Sequence, residues 1–129
     1  MKFYVAYKFT GEDPKELKET LKHICDLLTK KGHNNYCSFF DPTMVDIGNK
    51  NVINKAFKKI DSCDALLVFI KSKEKSEGML MEIGYAFAKD KKIFLIIKKG
   101  INLNYIDKIA DKIIEYENLN DLKNMEMNI

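Results

Sequence analysis

From Lys2 to Phe9 the chain alternates, with Phe3, Val5, Tyr7 and Phe9 on one side and Tyr4 and Ala6 on the other, and this period of two predicts a first strand. The period then lengthens. Asp13-Pro14-Lys15-Glu16 supplies an N-cap, a proline at the first helical position and a Glu at the capping-box position. Leu17, Leu21, Ile24 and Leu28 form the buried stripe of the helix that follows, which stops at Gly32. Asn35 to Phe40 reads as a second strand, and Asp41-Pro42 opens a loop running through Gly48. Val52, Ile53, Ala56, Phe57 and Ile60 fit a second amphipathic helix ending near Cys63.

Asp64 to Ile70 is nearly continuous apolar sequence, as expected of a parallel strand covered on both faces. A helix beginning near Ser76, a fourth strand at Lys92 to Ile97 and a turn at Gly100 come next. Ile106 to Ala110 predicts a short helix, Lys112 to Tyr116 a fifth strand and Leu119 to Met125 a last helix. This alternation predicts an α/β fold over residues 1–129: a single-domain, doubly wound, Rossmann- or flavodoxin-like sheet of five parallel strands, with right-handed crossovers and helices on both faces. Ligands of such sheets sit beyond the carboxyl ends of the strands. The loops Lys8 to Asp13, Lys71 to Ser76 and Lys98 to Asn104 are therefore expected to converge.

Composition narrows the function classes. The longest apolar runs, Ala65 to Ile70 and Ile93 to Ile97, are far too short to cross a bilayer, and no basic, apolar and small-residue succession opens the chain. A cytoplasmic protein without a membrane partner is the expectation. Cys25, Cys37 and Cys63 are odd in number, widely spaced and set in apolar patterns, which argues for reduced, mostly buried thiols. His23 and His33 show no metal-ligand spacing, so neither a metal nor another cofactor is expected. The net charge is +3, and the lysines are spread along the chain, which gives no sign of a nucleic-acid groove. All 22 basic residues are Lys. A bidentate Arg clamp is thus excluded, leaving Lys, backbone N–H groups and hydroxyls for any anion.

The chemistry concentrates in Ser76-Glu77-Gly78-Met79-Leu80-Met81-Glu82-Ile83-Gly84-Tyr85-Ala86. On a helix, Gly78, Met79, Tyr85 and Ala86 share the side of Glu82, so its carboxylate looks out of an apolar patch where poor solvation makes it reactive. The plainer reading is a solvated Glu on an amphipathic helix, which suits Lys89 at the next heptad position. Ser76, Glu77 and Gly78 fall at the helix start, where unpaired N–H groups bind anions or Ser76 acts simply as a cap.

The pattern Ser-x-Gly-x-x-x-Glu-x-Gly-Tyr-Ala after a buried strand resembles the nucleophile segment of the nucleoside 2-deoxyribosyltransferase superfamily, which includes 2'-deoxynucleoside 5'-phosphate N-hydrolases. The resemblance implies that Glu82 attacks C1' of a deoxyribosyl group and displaces the base. It also implies that Ser76, six positions earlier, holds the sugar's 5' end: an Asp there is typical of transferases on free nucleosides, and a Ser of hydrolases on nucleotides. Gly78 would share that contact. Tyr4 or Tyr7 would supply an aromatic hydroxyl near the nucleophile, with Tyr4 preferred because it leaves the Phe3 side of the strand. Tyr7, Lys8, Thr10 and Gly11 form the loosely matching base, sugar and phosphate segment. Asn102, in Gly100-Ile101-Asn102-Leu103, matches a segment that transferases extend into a neighbouring subunit's site, so a homodimer is implied.

Two departures stand out. The family's base-protonating Asp falls on Ala56, leaving Asp46, Asp61 or Asp64 as candidate replacements, and Asn124 to Ile129 lacks the transferases' aromatic tail. The leading expectation is hydrolysis of the N-glycosidic bond of deoxynucleoside 5'-monophosphates. Base exchange between deoxynucleosides, cleavage of NAD by a TIR-like domain, and a catalytically weak nucleotide-binding module are the alternatives.

Overall fold

In the computed structural model, which describes residues 1–44 and 49–124, strands β1 (Lys2–Ala6), β2 (Asn34–Cys37), β3 (Ala65–Ile70), β4 (Lys92–Lys98) and β5 (Lys112–Tyr116) form one sheet. All neighbours are parallel, in the order β2-β1-β3-β4-β5. The chain steps outward from β1 to β2, then crosses back over β1 to β3, so the winding reverses between β1 and β3. That reversal opens a crevice at the carboxyl ends of these two strands. The expected doubly wound fold is the one found.

The helices are α1 (Pro14–Lys30), α2 (Lys50–Asp61), α3 (Glu77–Ala88), α4 (Ile106–Ile109) and α5 (Leu119–Asn124). Register sets the faces. Phe3, Val5, Leu67, Phe69, Phe94 and Ile96 point to one side, where Leu17, Leu21, Ile24 and Leu28 of α1 and Leu122 of α5 cover them. Tyr4, Ala6, Leu66, Val68, Leu95 and Ile97 point to the other, under Ala56 and Ile60 of α2 and Met79, Ile83 and Ala86 of α3. All six residues of β3 are buried, which accounts for its unbroken apolar sequence. Among the described residues, no helix is long and apolar enough to cross a membrane.

Local signals hold with three corrections. Asp13 caps α1 by accepting from the Lys15 N–H at 3.2 Å, but Glu16 turns away from the capping box to accept from Lys71 Nζ at 2.7 Å. β1 ends at Ala6 instead of Phe9, because the ladder to β2 runs out at Val5 opposite Cys37 and Phe9 is left exposed. β2 likewise stops at Cys37, and Ser38–Phe40 is a 3-10 turn that redirects the chain. Gly32, with φ of +84°, ends the first helical segment as expected; its left-handed backbone lets the His33 N–H reach Leu28 O at 2.9 Å. Cys37 and Cys63 are buried and Cys25 half-buried, all as free thiols.

Candidate active site

The two sides of the β1/β3 reversal meet in one polar contact. Tyr4 projects from the α2/α3 face of β1, is 1% exposed, and donates its hydroxyl to Glu82 Oε2. Glu82 lies on the second turn of α3, half-buried, with Met79 and Ala86 packed in the core beside it. Burial pushes the Glu82 carboxyl up to about 7, and the Tyr4 hydroxyl opposes that rise. The start of α3 is more than a turn away, so Tyr4 and not the helix N-terminus is what holds the charge. Burial first, then the neighbouring carboxylate, raises the Tyr4 phenol well above its ordinary range, which keeps it a proton donor at every working pH.

Glu82 and Tyr4 line a cleft of about 1180 Å³. Tyr7, Lys8, Thr10, Gly11, Ser76 and Gly78 line it as well, so the structure brings eight of the nine singled-out residues to one cavity. Tyr7 packs toward the α1 face while its hydroxyl lies 3.0 Å from Ser38 Oγ; burial pushes its phenol up to about 12. Lys8 Nζ is held by Glu74 Oε2 at 2.9 Å and lies 3.7 Å from Glu12 Oε1. Gly11 has φ of +81°, so the loop after β1 requires glycine there for its turn, whatever else it contacts. Ser76 caps α3, accepting from the Met79 N–H at 3.3 Å, and still faces the cleft. Gly78 differs from Gly11: a Cβ there would meet nothing nearer than Ser76 Oγ at 3.8 Å. The protein's own packing leaves that position open, so the missing side chain keeps room in the cleft.

Asn102 is the exception. It is exposed in the loop between β4 and α4 and does not line this cleft, nor does the rest of the Lys98 to Asn104 loop. The other two expected loops do converge. Of the candidate Asp replacements, Asp61 accepts from the Tyr85 hydroxyl at 2.8 Å, and Asp64 accepts from the Lys2 N–H at 2.8 Å at the opposite end of the sheet. Neither lines the cleft, and Asp46 lies outside the described residues. Ala56 does line it, among Met44, Val52, Ile53 and Phe57. The α2 stripe reads in the sequence as the apolar side of an amphipathic helix, and helical periodicity marks a face to be covered without saying whether protein or ligand covers it. Ser38 gave no signal in the sequence, because Asn35 to Phe40 reads as one strand and the turn at Ser38–Phe40 is hidden within it.

A family model described as nucleoside 2-deoxyribosyltransferase matches residues 3–125, nearly the whole chain. The chain belongs to the nucleoside 2-deoxyribosyltransferase family. Its chemistry is therefore that of the N-glycosidic bond of nucleosides or nucleotides. Among solved structures it is similar to a 2-deoxyribosyltransferase from Bacillus psychrosaccharolyticus, with 22% identity over 98% of this chain and 93% of that one and a TM-score of 0.69. It is also similar to a Clostridium botulinum CMP N-glycosidase, BcmB, with 21% identity over 96% of both chains and a TM-score of 0.64. A 2-desoxiribosyltransferase from Leishmania mexicana is 25% identical over 74% of this chain and 63% of that one, with a TM-score of 0.57. No curated protein has a sequence that matches it. Within a nucleoside 2-deoxyribosyltransferase fold, the Glu82–Tyr4 pair sits at the strand reversal, where ligands of such sheets bind.

Proposed function

We propose that this protein hydrolyses the N-glycosidic bond of 2'-deoxynucleoside 5'-monophosphates through a covalent deoxyribosyl intermediate on Glu82. The observation that carries the reading is a carboxylate held by a buried tyrosine at the floor of a large, mostly apolar cleft whose rim carries Ser76, Gly78 and Lys8. Ionised Glu82 attacks C1'; the C1'–N bond breaks and its electron pair leaves on the base nitrogen, which takes up a proton. Water then attacks C1', releasing the Glu82 carboxylate and deoxyribose 5-phosphate and returning to solvent the proton that the base took from it. The wall of Met44, Val52, Ile53, Ala56 and Phe57 packs the base by shape, and among its described residues none is a carboxylate that would protonate the base. Ser76 supports a nucleotide substrate, since a hydroxyl beside free helix N–H groups can donate to phosphate. The similar CMP N-glycosidase shows that this fold serves a nucleotide substrate in that protein.

A homodimer is part of the same reading. Leu80, Met81 and Phe87 of α3 are 37%, 47% and 54% exposed, and at Gly84 between them nothing beyond its chain neighbours and its own helix backbone lies within 4 Å of where a Cβ would sit. A second copy laid on this face would cover the apolar side chains at close approach and border the cleft through Met81. Asn102 would then belong to the neighbour's site, as the family resemblance implies.

Chromatography of deoxynucleosides and deoxynucleotides, with and without an acceptor base, tests the proposal. Free base and deoxyribose 5-phosphate from nucleotides alone are expected. Products formed only with an acceptor base support a transferase, and nucleotide binding without any base release supports a binding module.

A further inference from the structure

The phosphate end of the cleft carries more than Ser76. Among the described residues, Lys8 is the one cationic side chain there that is mostly buried, 14% exposed, and its ammonium lies 3.7 Å from where a Gly11 Cβ would sit. Two carboxylates hold it, in different ways. Glu12 is 13% exposed and is shared with Lys71 Nζ at 3.5 Å, which is itself held by Glu16 at 2.7 Å. Glu12 is therefore locked within a network. Glu74 approaches Lys8 more closely, at 2.9 Å, yet its side chain is 81% exposed and has no second ion-pair partner among the described residues. Swinging Glu74 into water would cost one solvent-screened contact, whereas moving Glu12 would break two.

We propose that Glu74 is an exchangeable counter-ion that sets the selectivity for the substrate's 5' end: it occupies Lys8 until a 5'-phosphate displaces it. The chemistry is competition between two anions for one ammonium. Lys8 binds carboxylate and phosphate alike as a point charge, and no Arg is present to bind phosphate in a preferred geometry. An uncharged 5'-hydroxyl has nothing with which to displace Glu74. The inference rests on the phosphate reading above, and it assigns that reading's discrimination to the Lys8–Glu74 pair in addition to Ser76.

The test is binding of deoxyribose 5-phosphate, which carries the phosphate but no base to release, measured by calorimetry at fixed ionic strength for wild type, Glu74→Gln, Lys8→Met and the double variant. Glu74→Gln is expected to bind about two- to fivefold more tightly, the scale of an exposed ion pair. Lys8→Met should bind more weakly, and in its background the Glu74 substitution should have no effect, because the two act as a unit. In turnover, the ratio of kcat/KM for dGMP over deoxyguanosine should rise in Glu74→Gln by the same factor. Unchanged or weaker binding by Glu74→Gln, or an equal gain in the Lys8→Met background, overturns the inference and leaves the hydrolase reading standing. The converse is also distinguishable: the full binding pattern without base release from any nucleotide supports the counter-ion and defeats the hydrolase. No binding by any of the four proteins overturns the inference as well, while base release from nucleotides decides the hydrolase reading separately.

Discussion

The two faces of the sheet are built from the same strands but finished differently. On one, α1 lays four side chains, Leu17, Leu21, Ile24 and Leu28, against Phe3, Val5 and Leu67, and none of the four is more than 5% exposed. On the other, α2 buries only Ala56 and Ile60, while Val52, Ile53 and Phe57 line a cleft with a Tyr–Glu pair at its floor. The difference teaches where stability and chemistry are divided. The α1 face is filled by its own side chains; the α2/α3 face leaves apolar surface and one incompletely solvated carboxylate for something else to cover.

That division can be broken from either side. The largest effect is expected on the cleft side: Glu82→Ala should lower base release by at least about 10³-fold, several kcal/mol of barrier, while leaving the melting transition cooperative. Retention of more than roughly a tenth of the rate would remove Glu82 from the role of nucleophile. Next comes Leu21→Ala on the α1 face, which should cost about 2–5 kcal/mol in denaturant unfolding through the cavity it leaves. Ile53→Ala on the cleft wall should cost under about 1.5 kcal/mol and raise KM instead. Equal stability losses at the two positions would show that the cleft wall is ordinary core.

A smaller effect should follow Tyr4→Phe. With the Glu82 carboxyl at about 7, its ionised, attacking form grows as pH rises through neutrality, so kcat/KM should climb on that limb. Removing the Tyr4 hydroxyl takes away what holds the charge, raises the carboxyl further, and should shift the limb to higher pH with a loss of about 10- to 100-fold at pH 7. A simple loss of activity at all pH values, with no shift, would mean that Tyr4 only packs. The sign for stability runs the same way: a carboxyl raised on folding favours the folded state at acid pH, and that contribution is lost as pH rises through about 7. Smaller again, Ser76→Asp should move the ratio of kcat/KM for dGMP over deoxyguanosine by about tenfold toward the nucleoside, because a carboxylate repels phosphate yet accepts from a 5'-hydroxyl. An unchanged ratio at fixed ionic strength would favour capping as the whole role of Ser76.

Much of this was legible beforehand, and the gaps have physical causes. β3 and β4 announce themselves because burial on both faces forces unbroken apolar runs. Strand parity placed Tyr4 and Tyr7 on opposite faces, and that is why only Tyr4 meets Glu82, 78 residues away. The end of β1 was overrun because alternation continues through Phe9, although β2 has already turned off at Ser38 to put that hydroxyl beside Tyr7. The Lys8–Glu74 pair joins two loops 66 residues apart, for which local pattern has no signal. The loop after β4 was expected at the cleft because every strand end is a candidate, but the winding reverses between β1 and β3, so the loops after those two strands line it, joined by Ser38 and Met44 of the segment after β2.

The most direct test of the central claim is intact-protein and peptide mass spectrometry after rapid acid quench during turnover of a deoxynucleoside 5'-monophosphate. A deoxyribosyl phosphate adduct on the peptide carrying Glu82, absent in Glu82→Gln, is the result expected. Base release at full rate with no adduct on that peptide, or with the label on another residue, would contradict it.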